Sequence, residues 1–195
     1  MRSINLLLLL VMVFSIKAFA QEDALNQQID QLFFYLPLNS NQYEIRKKLH
    51  LDENLYNVAE YQDYCKCISA DFYSNPILRY IGSERHLVIW FNEETKFTDS
   101  RKISFRYYPD ELGKADKQLK QLYNIFKNLS LSIAPYQTIN ARQEISGEGY
   151  YFYLSNKSDG QDFPYLSIGY KYIQASNYGG TSYYHFEIIL NEEGL

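Results

Sequence analysis

The residues best placed to do chemistry are a histidine and a glutamate near the C-terminus, His185 and Glu187. If this stretch is a strand, the two side chains lie on one face, because successive side chains of a strand point to opposite sides. A carboxylate beside an imidazole can orient it as a general base, as in a hydrolase-like enzyme. No nucleophile or third partner is evident, so a solvated polar strand face explains the same pattern.

The sequence lacks the common enzyme motifs: a phosphate-cradling glycine loop, a Gly-x-Ser-x-Gly elbow and a His-Glu-x-x-His zinc motif. Its one Gly-x-Gly, at residues 147–149, precedes a predicted strand instead of opening a helix. Residues 156–162 carry oxygen ligands at alternate positions but lack the closing glutamate of a calcium loop, so they are interpreted as a hairpin turn. We therefore expect no cofactor and no metal ion.

Two cysteines, Cys65 and Cys67, are separated by a single residue. An oxidising compartment permits a disulfide, but in an extended strand their Cα atoms lie near the geometric limit for one. Three interpretations stay open: a bridge, a redox-active Cys-x-Cys pair, or two small apolar side chains on one strand face.

Tyrosine is the most unusual feature of the composition, with 20 among 195 residues. Three predicted C-terminal strands alternate so that one face is apolar and the other combines tyrosines with charged groups. Tyrosine offers rigid contact area and a polar tip, as binding surfaces require, although its high strand propensity also explains the pattern. The predicted ligand-binding residues on this second face, which has a glycine gap in its middle, are Tyr151, Tyr153, Lys171, Tyr183, His185 and Glu187.

Hydrophobic periodicity predicts the elements that position these residues. Helices are expected over 22–36, ended by Pro37; over 40–50, capped by Asn39; and over 109–129. Strands are expected over 65–73, 77–81, 86–91, 102–108, 150–154, 165–173 and 182–190. The fold class is therefore α+β, with amphipathic helices packed on one face of a mainly antiparallel sheet. The order also suggests two diverged halves, around residues 39–108 and 109–190, each a short helix followed by about three strands.

The N-terminus has the three parts of a secretory signal peptide: Arg2, an apolar run, and Ala18-Phe19-Ala20 before a polar segment. We expect cleavage after residue 20, leaving a single domain over 21–195 in the periplasm or outside the cell. The full sequence carries a net charge of −4, and removing Arg2 and Lys17 makes it more negative. This acidity argues against nucleic acid as a partner. No second long apolar segment occurs, so we expect no transmembrane segment in the mature chain.

Two function classes follow. The first is a secreted, soluble, non-catalytic binding or interaction module that uses the tyrosine-rich face to hold a protein, peptide or glycan of the envelope or extracellular space. The second is an unrecognised hydrolase-like enzyme around His185 and Glu187. The missing motifs favour the first class, which the sequence does not separate from a purely structural envelope component.

Overall fold

The computed structural model describes residues 20–61, 66–140, 142–154, 163–175 and 180–192. The predicted signal peptide, except Ala20, lies outside these residues. So do Cys65, the predicted calcium-like turn at 156–162 and most of the predicted turn at 177–180. In the described ranges, no helix combines the length and the hydropathy that a membrane span needs.

The described ranges contain three α-helices, one 3-10 turn and eight strands. The helices are α1 (20–32), α2 (Gln42–Leu49) and α3 (Leu112–Phe126), with a 3-10 turn at Pro109–Glu111 leading into α3. The strands are β1 (Leu55–Tyr61), β2 (Cys67–Phe72), β3 (Ser83–Phe91), β4 (Thr98–Tyr107), β5 (Ser132–Ile139), β6 (Ile145–Tyr153), β7 (Leu166–Ile173) and β8 (Tyr183–Asn191).

All eight strands form one antiparallel sheet in the order β1-β2-β3-β4-β8-β7-β6-β5. Strands β1 to β4 form one meander and β5 to β8 a second, and the two meet where β4 pairs with β8. Each half is a helix followed by four strands, whereas the sequence suggested about three strands in each half. The α+β prediction, with helices on an antiparallel sheet, is confirmed.

The core lies between the helices and one face of the sheet. The apolar positions of α3 recur at helical spacing, and Ala115, Leu119, Leu122 and Phe126 are all buried. They pack against inward residues of the central strands, where Phe105 and Phe186 stack with ring centroids 5.0 Å apart. Each such side chain stabilises the fold by roughly 1.5–3 kcal/mol through burial alone.

Three local predictions need correction. Helix α2 is capped by Asn41, whose side chain accepts from the Glu44 amide, and not by Asn39. Residues 77–81 form no strand; they run beside α3, where the Tyr80 amide donates to Gln118. The third correction concerns the two edge strands, β1 and β5, which the sequence pattern did not predict.

A buried ion pair fastens the segment between α1 and α2 to the sheet. Arg101 on β4 is fully buried and lies 2.6 Å from the Glu192 carboxylate. Its other guanidinium nitrogens donate to the carbonyls of Leu36 and Pro37. Glu192 also accepts from the Asn39 amide, so one carboxylate holds the strand and the linker together.

Candidate functional site

The helices pack on one face of the sheet, and the opposite face, called the outer face here, carries the predicted site. Residues of β6, β7 and β8 alternate as expected: Phe152, Ile168 and Phe186 are in the core, and their sequence neighbours point outward. Four inner strands contribute the following residues to the outer face. They are Ser100, Lys102, Ser104 and Arg106 of β4; Tyr183, His185, Glu187 and Ile189 of β8; Ser167, Gly169 and Lys171 of β7; and Gly149, Tyr151 and Tyr153 of β6.

A charged cluster lies at the middle of this face. The Glu187 carboxylate is 3.1 Å from His185 Nε2, 3.4 Å from Lys102 Nζ and 3.5 Å from Lys171 Nζ. The hydrogen bond with His185 is the largest influence on the Glu187 pKa. With help from both lysines and against the effect of burial, it lowers that pKa to about 2. Glu187 is therefore ionised throughout the physiological pH range.

Lys102 was not among the predicted site residues, although alternation placed it outward. It lies on β4 opposite Ile189 and so reaches Glu187 diagonally across the pair of strands. The alternation of β4 was sufficient to predict that Lys102 lies on the outer face. The pairing of β4 with β8, which brings it to Glu187, is not visible in the sequence.

The ring of His185 does not offer a nitrogen to a substrate. Its Nε2 is engaged by Glu187, and its Nδ1 is buried without a hydrogen-bond partner in the described part of the chain. A general base needs a ring nitrogen within hydrogen-bond reach of the proton it removes. The structure therefore brings the pair predicted for catalysis together, with one ring nitrogen of His185 bound to Glu187 and the other buried.

Tyr136 of β5 is the main residue that sequence reasoning missed. Its ring lies over the backbone of Gly149 and Gly169 and stacks on Tyr151, with centroids 4.5 Å apart. The predicted glycine gap is thus filled by an aromatic side chain from the edge strand. Burial is the largest influence raising the pKa of Tyr136 to about 12, and the nearby Glu187 charge adds to it.

Tyr153 departs from the expectation of an exposed ring. It shares the outward side of β6 with Tyr151, but only 7% of its surface is exposed, whereas Tyr151 is half-buried. Strand alternation gives the face on which a side chain lies and not what covers it. We therefore remove Tyr153 from the candidate binding residues.

Aromatic and cationic side chains alternate across the rest of the face. The Arg106 guanidinium lies 4.3 Å from the centre of the Tyr183 ring and pairs with Glu84. Lys102 Nζ lies 5.6 Å from the Trp90 ring, beside a shallow cavity of about 560 Å³ that Ile189 also lines. Trp90, the single tryptophan of the chain, was not predicted as a site residue.

A row of Asp71, His86 and Ser104 crosses three neighbouring strands of the same face. His86 Nδ1 lies 2.5 Å from the Asp71 carboxylate, and half of the histidine side chain is exposed. No hydrogen bond joins His86 to Ser104, which is only 5% exposed. The row has the composition of a nucleophilic triad, but its serine is neither activated nor accessible.

Cys67 is disulfide-bonded, which disfavours the interpretation of the cysteines as free apolar side chains. Within the described ranges, no three histidine, cysteine, aspartate or glutamate side chains lie close enough together to hold a metal ion. The outer face thus carries aromatic rings and paired charges, with serines and glycines between them.

Comparisons of this chain with protein-family models, with curated proteins and with solved structures found no significant match.

Proposed function

We propose that this chain is an exported, non-catalytic binding module that holds a protein partner on its outer face. The observation that carries the proposal is the breadth of that face. Eight strands spaced by about 4.8 Å span about 34 Å, and a strand of average length here, about eight residues, spans about 27 Å, so the face covers roughly 900 Å². A standard protein interface buries about 800 Å² on each partner.

The composition of the face supports a protein partner. Trp90, Tyr151 and Arg106 belong to the three residue types most enriched at the energetic centres of protein interfaces. They are surrounded by paired charges, such as Lys171 with Glu187, which set orientation and specificity more than affinity. A small molecule, by contrast, is usually held in a concave pocket.

Site-specific photo-crosslinking in the source cell tests this proposal. Val88 of β3 lies directly opposite Lys102 and therefore on the outer face. A benzophenone side chain at this position should crosslink one defined exported protein. The same group at Tyr43, which is 76% exposed on α2, serves as the matched control and should not capture that protein.

The purified pair then gives a quantitative readout. Trp90→Ala should weaken binding by at least about 30-fold, the loss expected of an energetic hot spot of ~2 kcal/mol, while Tyr43→Ala should leave it unchanged. Equal crosslinking from both positions, or none from Val88, would refute the proposal. Capture of a glycan and no protein would show that the partner of the outer face is a glycan and would overturn the proposal of a protein partner.

The hydrolase alternative is not proposed, because neither ring nitrogen of His185 is open to a substrate. Export and a periplasmic or extracellular location remain part of the proposal, and they rest on the N-terminal sequence pattern.

A further inference from the structure

A second surface with ligand-binding character lies on the helix side of the sheet, at the N-terminal end of α3. It is a cavity of about 690 Å³, called the tyrosine cavity here, within the size range of small-ligand sites. Three of its lining residues are Tyr170, Tyr172 and Tyr184. It shares no residue with the outer face except the backbone glycine Gly147, so it is independent of the proposed function.

The tyrosine cavity exists because α3 starts late relative to the strands beneath it. The buried positions of α3 begin at Ala115, and α3 contacts β7 and β8, with Asp116 in its first turns bonded to Tyr170. Tyr172 and Tyr184 face each other across β7 and β8 beyond that point, where the described helices cover Tyr172 only in part. Tyr172 is therefore 37% exposed, although alternation places it on the core side of the sheet.

The three rings form one fixed aromatic wall. Tyr170 meets Tyr184 edge to face with centroids 5.8 Å apart, and Tyr184 meets Tyr172 at 5.2 Å. The Tyr170 hydroxyl is 2.7 Å from the Asp116 carboxylate and 3.3 Å from Glu148. A phenol has one proton to donate, so the shorter bond to Asp116 fixes the ring and leaves Glu148 with acceptor capacity.

Planar polar side chains line the tyrosine cavity next to these three rings. The side chains of Arg142 and Gln174 line the cavity and make no hydrogen bond or ion pair with another described residue. Together with Glu148 they present free donors and free acceptors. The rim thus carries a cation, an amide and a carboxylate next to exposed aromatic surface.

This combination selects among ligand classes. A purely apolar ligand would leave the guanidinium, amide and carboxylate without partners, which costs free energy on desolvation. An anion is opposed by Glu144 and Glu148, and a cation by Arg142. A neutral polyhydroxylated ring suits all of them, because its hydroxyls both donate and accept while its apolar face covers an aromatic ring.

We propose that the tyrosine cavity binds a neutral saccharide, with Tyr172 as the stacking surface and Arg142, Glu148 and Gln174 as hydrogen-bonding groups. The ligand is either a free oligosaccharide or the end of a surface polysaccharide, since both present the same chemistry.

To test this proposal, the mature chain, residues 21–195, is titrated with neutral trisaccharides of glucose, N-acetylglucosamine and xylose. Calorimetry and ligand-observed NMR detect binding. A parallel arm sediments the protein with insoluble polysaccharide from its own cell envelope. Binding of a trisaccharide indicates a free oligosaccharide, and binding in the sedimentation arm alone indicates a polysaccharide.

Two variants at exposed positions are designed to leave the fold intact. Tyr172→Leu keeps apolar bulk but removes the ring, and Arg142→Ala removes one donor group. Each should weaken saccharide binding by about tenfold or more, equivalent to ~1.4 kcal/mol. Tyr43→Ala and the outer-face variant Trp90→Ala are the controls, and both should bind saccharide as the wild type does.

The proposal is overturned if no trisaccharide binds at concentrations up to about 10 mM, where even a weak millimolar affinity is detectable, and the insoluble polysaccharide does not sediment the protein. It is also overturned if Tyr172→Leu binds saccharide as well as the wild type does, or if tetramethylammonium binds in place of a saccharide. Loss of protein-partner binding in Trp90→Ala, with saccharide binding intact, would separate this site from the proposed function.

Discussion

Replacing Arg101 by methionine should destabilise the protein far more than any surface charge change. The substitution leaves the Glu192 carboxylate, whose side chain is 8% exposed, without its cation. It also removes the donors to the carbonyls of Leu36 and Pro37. Removing one partner of a buried ion pair costs about 3–5 kcal/mol, because the other charge stays buried and uncompensated.

This cost is a large part of the 5–15 kcal/mol by which a domain is usually stable. Urea unfolding followed by circular dichroism and by the fluorescence of Trp90 measures it directly. In thermal unfolding the same loss should lower Tm by roughly 6–20 °C for a domain of this size.

Arg106→Met is the matched control, because Arg106 lies on the same strand but on the outer face. Its ion pair with Glu84 is 37% exposed on the arginine side, so we expect a loss of at most about 1 kcal/mol. In a double-mutant cycle, Arg101→Met with Glu192→Gln should cost about 1–3 kcal/mol less than the sum of the single changes. Equal effects of Arg101→Met and Arg106→Met would refute the reasoning.

Two further predictions concern the outer face. Because the folded-state pKa of Glu187 is lowered to about 2, its contribution to stability is complete above its unfolded pKa near 4.5 and is lost as pH falls towards 2. Between pH 4.5 and pH 2, the free energy of unfolding should fall by roughly 2–3 kcal/mol less in Glu187→Gln than in the wild type. Urea titrations at both pH values measure this, and an equal fall in the two proteins would contradict the prediction. Gly169→Ala should cost about 1–3 kcal/mol, because its Cβ would lie 2.7 Å from the Glu148 carbonyl oxygen and against the Tyr136 hydroxyl. An unfolding midpoint of Gly169→Ala equal to that of the wild type would contradict this prediction, because it would mean that the neighbouring strands move apart without a measurable cost.

The strands that alternation predicted are the inner ones. Both β7 and β8 have neighbours on two sides and one face that is buried over most of its length, so apolar or aromatic residues occupy every second position on that face. The two strands that were missed, β1 and β5, are the edges of the sheet. Their burial is partial, β1 is irregular around Asn57, and β5 contains Pro135, so neither gives a clear pattern.

The missed residues follow from the same cause. Tyr136 belongs to the unrecognised edge strand, so its position over the two glycines could not be inferred. Arg101 continues the inward alternation of Ile103 and Phe105, but a charged residue is normally assigned to solvent. Its burial depends on Glu192, a partner 91 positions away in the chain, which no local pattern reveals.

The sheet order has a consequence for how the chain folds. Every neighbouring pair of strands is consecutive in the chain except β4 and β8, which pair residues as distant in sequence as Ser100 and Asn191. Closing so long a loop is entropically costly and slows folding, whereas the hairpins of each meander form from local contacts. We expect the joining of the two meanders to limit the folding rate. The Arg101–Glu192 pair lies beside that joint, so loss of the pair should slow refolding, while changes at the β1 edge should mainly speed unfolding.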